Sequence, residues 1–151
     1  MRILVQKVRE ASVLIDSKVY NNIDEGLVLF VGFSNLDNKE IIDKMVDKII
    51  NLRILEDDNN KTNLSILSRP LEILSISQFT LYADTRKGRR PSFTKSASAD
   101  LATDLYDYFN KKLSEQIKVK TGVFQADMEV RLANDGPFTI MLDSEEYQWH
   151  K

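Results

Sequence analysis

Apolar and polar residues alternate from Met1 to Arg9 and again from Ser12 to Asp16, and beyond Ser17-Lys18 a third extended run covers Val19 to Ile23. A period of two over such lengths predicts strands joined as an antiparallel meander. Asp24-Glu25-Gly26 then turns the chain into Leu27-Val28-Leu29-Phe30-Val31-Gly32-Phe33. Its unbroken apolarity predicts a central strand covered on both faces.

The period becomes helical after Asp37. Ile41, Met45 and Ile49, with Ile42, Val46 and Ile50, recur at helical spacing and predict a helix over about Asn38 to Leu52, with Asp37 and Glu40 in the form of a capping box. Arg53 to Glu56 reads as extended, Asp57-Asp58-Asn59-Asn60 as a hairpin loop, Leu64 to Leu67 as a short edge strand before Pro70, and Leu71 to Ser77 as a core strand. Ser98 can cap a second helix whose Ala102, Leu105, Phe109 and Leu113 line one face, with Tyr106 adjoining. Ile117 to Phe124, Met128 to Leu132 and Phe138 to Leu142 close the chain as strands, leaving Tyr147 and Trp149 in a tail. Between the last two strands, Asn134-Asp135-Gly136-Pro137-Phe138-Thr139 predicts a hairpin corner, because Asn, Asp and Gly tolerate positive φ and Pro137 removes a backbone donor. Such a corner leaves carbonyls free to grip an ammonium group. Two helices among many strands define an α+β fold, with a mainly antiparallel or barrel-like sheet and two principal helices.

Composition narrows the chemistry. The 151 residues, 42% of them hydrophobic, fit a single domain over 1–151. Charged residues of both signs make up 29% of the chain, and no apolar run is long enough to cross a bilayer, so a cytoplasmic protein with no membrane partner is expected. There is no cysteine, and the only histidine is His150, next to the last residue. Thiol catalysis, disulfides and a histidine-rich metal centre are therefore excluded, and no metal or other cofactor is expected. A Ser-His-Asp triad would have to take its base from the chain end.

A net charge of −2 argues against general polyanion binding. Any RNA contact must be local. Arg86, Lys87, Arg89 and Arg90, clustered around Gly88, are the candidate patch, with Lys95 close by and Lys111, Lys112, Lys118 and Lys120 further on. Composition alone favours a solvated loop, since short charge runs usually face water.

Ser77-Gln78-Phe79-Thr80-Leu81, Arg90-Pro91-Ser92-Phe93, Thr121-Gly122-Val123-Phe124-Gln125-Ala126-Asp127-Met128 and Asn134-Asp135-Gly136-Pro137-Phe138-Thr139 together resemble, in order and spacing, the D-aminoacyl-tRNA deacylase family. The resemblance extends from Ile3 to Leu142. It implies hydrolysis of the ester in D-aminoacyl-tRNA, and a homodimer in which Gly136 and Pro137 form a Gly-cisPro element reaching into the partner's site, their carbonyls holding the substrate's ammonium. By the same resemblance Ser77, Gln78, Phe79 and Thr80 border the ester and terminal ribose, a backbone N–H among them serving as oxyanion donor. Phe124, Ala126 and Met128 belong to an apolar slot for the terminal adenine, although alternation alone would read Phe124 and Met128 as strand-face core. The resemblance also implies that the basic loop meets the acceptor stem.

Without a side-chain base, catalysis falls to backbone donors, a placed water and the 2′-hydroxyl of the RNA. Thr80 reads as structural, and the Thr139 hydroxyl as bonding back to its turn. Two other functions fit fewer features: a non-catalytic acceptor-stem binder, and an esterase using Thr139 or Thr80 as nucleophile. Tyr82 and Phe138 are bulkier than the Ala and Val of many relatives and fall near the expected pocket. If chirality is read by a backbone clamp, glycine escapes rejection, so glycyl-tRNA, including glycine on alanine tRNA, is an expected substrate.

Overall fold

The computed structural model describes residues 1–147 and 149; Gln148, His150 and Lys151 lie outside the described residues. The alternation at the start of the chain belongs to one long strand, β1 (Arg2–Ile15), which turns through Asp16 and Ser17, both at positive φ, into β2 (Lys18–Ile23). A separate strand from Ser12 to Asp16 was expected. Instead the pairing of β1 shifts register between Val8 and Glu10, and this bulge reverses the alternation: Val8 and then Ala11 and Val13 all enter the same core cluster. A change of phase within one strand mimics a strand break.

β3 (Gly26–Gly32) is the expected central strand. It pairs antiparallel with Arg2 to Val8 of β1 and parallel with β6 (Glu72–Ser77), which in turn pairs parallel with β7 (Lys118–Thr121). The sheet is therefore mixed, in the order β2-β1-β3-β6-β7, with β8 (Glu129–Asp143) on the other side of β1. Its ends curl toward each other: Asn21 Nδ2 donates to Thr121 O at 2.7 Å and Lys120 Nζ to Asn22 O at 2.8 Å, joining β2 to β7. Leu27, Leu29 and Val31 of β3 face the helices, while Val28 packs inside the curl with Leu74 and Ile76.

α1 (Lys39–Ile50) and α2 (Ala99–Ser114) cover the outer face. Ile42, Met45, Val46 and Ile49 from the first, and Ala102, Leu105, Phe109 and Leu113 from the second, are buried in one cluster with Met1, Ile3 and Val5. Ser98 caps α2 through the Leu101 amide, as its position predicts. The cap of α1 is Asn38, not Asp37: Asn38 Oδ1 accepts from the Ile41 amide, whereas Asp37 is buried against the Met1 ammonium at 2.6 Å and the Ser34 amide at 2.7 Å. Two adjacent residues able to cap differ here only in what else each must bind. The expected edge strand from Leu64 to Leu67 splits into β5 (Thr62–Leu64), paired with β4 (Leu55–Glu56), and a 3-10 turn, Ile66–Ser68. Tyr147 and Trp149 stack on each other at 4.9 Å and pack against the helix cluster.

The last expectation to fail is the hairpin corner. β8 is one strand antiparallel to β1 from Leu14↔Glu129 to Arg2↔Asp143, so the chain keeps its direction through Gly136 and Pro137. Pairing jumps from Val8↔Asn134 to Gln6↔Thr139, leaving four residues of β8 opposite a single residue of β1. They form a large bulge. Turn chemistry is required there, but a strand resumes on the same partner instead of reversing.

Candidate active site

β6 ends at Ser77, and the chain enters a 3-10 turn, Phe79–Tyr82, beside the C-terminal end of β3. The Gln78 amide is spent on Val31 O at 2.8 Å. The next two amides, of Phe79 and Thr80, have no hydrogen-bond acceptor among the described residues. Gln78 Nε2 donates to Thr80 Oγ1 at 2.5 Å, giving that hydroxyl a structural partner.

Ser77, Gln78 and Phe79 line a cavity of about 550 Å³ together with Phe124, Ala126, Asp127 and Met128. Ala97, just before the Ser98 cap, and Ala99 and Ala102 of α2 add small side chains to the same lining. Gln125, at φ 65°, turns the backbone so that Phe124 and Ala126 both reach the cavity. Behind Phe124 stands Tyr106, 6.0 Å away between ring centroids, whose hydroxyl donates to Ser75 O at 2.7 Å. Burial raises the Tyr106 pKa, so this donor stays protonated. Met128 lies so close over Gly122 that a Cβ there would sit 2.5 Å from its sulfur. Gly122 in the Thr-Gly-x-Phe run thus makes room for Met128; Tyr106 and Gly122 support the slot, and the helical period had assigned Tyr106 only to the core.

Thr80, Gly136, Pro137, Thr139 and the basic loop do not line this cavity. The Gly136–Pro137 peptide is cis and Gly136 has φ 129°, a region nearly closed to L-residues. The bulge is closed from inside: Asn134 Oδ1 accepts from the Phe138 amide at 2.8 Å, and Asn134 Nδ2 donates to Thr139 Oγ1 at 2.7 Å. Gln6 Nε2 also donates to Thr139 Oγ1, at 3.0 Å. With two donors on its oxygen and no base beside it, Thr139 is a brace. Asp135 is anchored to Arg9 at 3.2 Å and to the largely buried Lys7 at 3.7 Å. Asn134 had been read only as a turn residue, although its place in Asn-x-Gly-Pro-x-Thr, one residue before the loop and five before the threonine, is what lets it close both ends.

Tyr82 and Phe138 stay clear of the cavity. Tyr82 is 2% exposed beneath Arg2, whose guanidinium carbon is 4.7 Å from the ring centroid, and Phe138 lies half-buried near Lys7.

The basic loop projects with Gly88 near its tip at φ 67°, closed at its base by reciprocal main-chain bonds between Asp84 and Ser92. Arg86 differs from its neighbours. Its guanidinium grips Asp84 through two bonds, at 2.8 and 2.6 Å, which hold the Asp84 carboxyl well below the usual carboxylate range. Lys87, Arg89 and Arg90 have no carboxylate partner among the described residues, so the free cations are three of the four expected. Lys112, Lys118 and Lys120 are likewise committed, the first to Glu115 and the others to Glu72. Phe93 meets Phe79 edge-on at 5.1 Å, and Ser96 Oγ donates to Phe79 O, tying the loop's far end to the cavity wall. Among the described residues no group of acidic or histidine side chains is placed to hold a metal ion, and no helix is long and apolar enough to cross a membrane.

The cavity thus joins an apolar slot to a turn with two unpaired amides; Asp127 is the one ionisable side chain among its lining residues, and no thiol or imidazole is there. The model of the D-Tyr-tRNA(Tyr) deacylase family matches residues 4–143, and the chain belongs to that family. It is 54% identical over 147 residues to a D-aminoacyl-tRNA deacylase of Listeria monocytogenes serotype 4a (strain HCC23), covering 97% of each chain. A second relative of the same description, from serotype 4b (strain CLIP80459), is also 54% identical, covering 97% of this chain and 98% of its own. Among solved structures, the c-Myc DNA Unwinding Element Binding Protein superposes with a TM-score of 0.90 at 35% identity, covering 95% of this chain and 98% of that one. A structure described as a "probable eukaryotic D-amino acid tRNA deacylase" shares the fold, with a TM-score of 0.83 at 20% identity, over 93% of this chain and 97% of that one.

Proposed function

We propose that this protein hydrolyses the ester of D-aminoacyl-tRNA, releasing the D-amino acid and free tRNA, through a single deacylase domain working as a homodimer in the cytoplasm. The observation that carries this reading is the single cavity lined by both Ser77, Gln78 and Phe79 and by Phe124, Ala126 and Met128. The terminal adenine enters the Phe124–Met128 slot, where stacking on an aromatic face needs no base code. Its ester then lies against the turn, and the Phe79 and Thr80 amides receive the oxyanion as water adds to the carbonyl. The leaving oxygen is on the terminal ribose, whose neighbouring 2′-hydroxyl supplies the proton transfer.

The Gly136–Pro137 bulge does not line its own cavity. It serves the partner's site, where its carbonyls take the substrate's α-ammonium, and a symmetric dimer gives each site one such clamp. With ammonium and ester both fixed, an L side chain meets backbone and a D side chain meets open space. Glycine, with no side chain, is accepted, including glycine mischarged on alanine tRNA. Lys87, Arg89 and Arg90 meet acceptor-stem phosphates, with Arg86 shaping the loop.

Release of tyrosine from D- and L-tyrosyl-tRNA by the purified protein, with a chelator present, tests the reading. Release of D-tyrosine far ahead of L-tyrosine is expected. Binding of tRNA without release would instead make the protein an acceptor-stem binder, and release from small esters without tRNA would make it a general esterase.

A further inference from the structure

The 3-10 turn Phe79–Tyr82 is held from outside at three points. The Gln78 amide donates to Val31 O at its entry, Ser96 Oγ donates to Phe79 O at 3.3 Å, and Arg2 Nη1 donates to Leu81 O at 3.0 Å. The last is the one tie made by a charged group. Arg2 is itself fixed: Nε donates to Asp143 Oδ2 at 2.7 Å, the guanidinium lies over the Tyr82 ring, and the Arg2 backbone is paired to Gly32 on one side and Asp143 on the other. Asp143 and Tyr82 are both buried, at 8% and 2% exposure. One planar group thus reads a carboxylate, a carbonyl and a ring face at once, which a lysine ammonium cannot do. Arg2 does not line the cavity and takes no part in the mechanism above.

We propose that Arg2 is a positioning residue for deacylation: by fixing the Leu81 carbonyl against Asp143 and Tyr82, it sets the direction of the Phe79 and Thr80 amides. This rests on the reading of the turn as the segment facing the ester. A charge-assisted bond to Leu81 O orients the peptide plane between Leu81 and Tyr82. In a turn of four residues, with Gln78 pinned at the other end, that leaves the two intervening amides little freedom to rotate. Donors aligned before reaction stabilise an oxyanion without reorganising, and loss of that alignment reduces turnover more than substrate binding.

The test compares Arg2→Met, which keeps the unbranched apolar stem of the side chain without its donors, with Arg2→Lys and Asp143→Asn, all in the full chain on D-tyrosyl-tRNA. In Arg2→Met, kcat should fall on the order of 30-fold with KM within about twofold, the signature of an interaction made in the transition state. Arg2→Lys should recover part of that loss, and Asp143→Asn should fall between. Amide exchange at Leu81 and Ala83 should quicken in Arg2→Met while exchange in α1 holds. Ile49→Val, a core variant on α1, controls for stability and should keep its kcat. An Arg2→Met protein with wild-type kcat, or one that loses no more than Ile49→Val, overturns the role. If Arg2→Met does not fold, Arg2→Gln and Arg2→Lys carry the same comparison. A wild-type protein without turnover overturns the reading of the turn and this role with it, whereas wild-type turnover with an indifferent Arg2 overturns the role alone.

Discussion

Asn134→Ala separates the shape of the bulge from the stability of the fold. Asn134 makes two hydrogen bonds, to the Phe138 amide at 2.8 Å and to the Thr139 hydroxyl at 2.7 Å. Each neutral bond contributes roughly 0.5–1.5 kcal/mol, so losing both costs about 1–3 kcal/mol. That loss falls on the bulge, because pairing with β1 resumes at Thr139↔Gln6 and continues to Asp143 without Asn134. A midpoint of about 2 kcal/mol shifts the closing equilibrium roughly 30-fold, so the closed population falls about 15-fold if open and closed forms begin near balance. Turnover of D-tyrosyl-tRNA should fall by up to that factor, and the preference for D over L should narrow, because the backbone that blocks an L side chain is the part set loose. If all of that cost reached global stability, Tm would fall by no more than about 12 °C for a domain of this size. Asn134→Asp keeps the acceptor for Phe138, so its loss should be about tenfold or less. The assay is amino-acid release from both tyrosyl-tRNA enantiomers, with a melting curve on each variant. An Asn134→Ala protein whose D to L ratio stays within twofold of wild type would refute the argument that side-chain closure of the bulge shapes the clamp.

Gly136→Ala places a Cβ 3.0 Å from the Phe138 amide nitrogen at φ 129°, a strain of about 1–3 kcal/mol, so turnover should drop at least tenfold while circular dichroism stays near wild type; near-normal turnover would count against the clamp. Replacing Lys87, Arg89 and Arg90 together by Ala should flatten the salt dependence of tRNA binding by roughly two to three in slope, while Arg86→Ala should do less because Arg86 already holds Asp84; salt titrations of tRNA affinity distinguish the two. Glu72, held below its ordinary pKa first by its hydrogen bond with Lys118 and then by Lys120, contributes stability that is present above the unfolded carboxylate range and lost as pH falls through the depressed value. Melting temperatures followed down the acid limb should therefore fall less steeply in Glu72→Gln.

The elements most legible in the sequence were those whose signal is local. Ser98 caps α2 because a serine before a helical period has few competing uses, and the apolar run from Leu27 to Phe33 became a strand covered on both faces. The errors came where a local signal has two structural outcomes separated by distant residues. Asn-Asp-Gly-Pro marks departure from regular pairing, but whether it closes a hairpin or bulges from a strand depends on what both flanks pair with, and both pair with β1. Asp37 could cap a helix, yet it lies beside the Met1 ammonium, 36 positions away. The lysines at 118 and 120 looked free until β6 brought Glu72 beside them. Of the motif residues, Ser77, Gln78, Phe79, Phe124, Ala126 and Met128 line the cavity and Thr80, Gly136, Pro137 and Thr139 do not, while Tyr106 and Arg2 were hidden because each touches a residue remote in sequence.

The proposed clamp reads chirality by excluding the L side chain instead of recognising the D one. The direct measurement is a time course of deacylation with glycyl-, D-alanyl- and L-alanyl-tRNA at equal enzyme concentration. Exclusion predicts that glycine and D-alanine are released at comparable rates while L-alanine lags roughly a thousandfold, a steric difference on the order of 4 kcal/mol. Glycyl-tRNA that survives as long as L-alanyl-tRNA would mean that the site recognises a D side chain positively, and would contradict the claim.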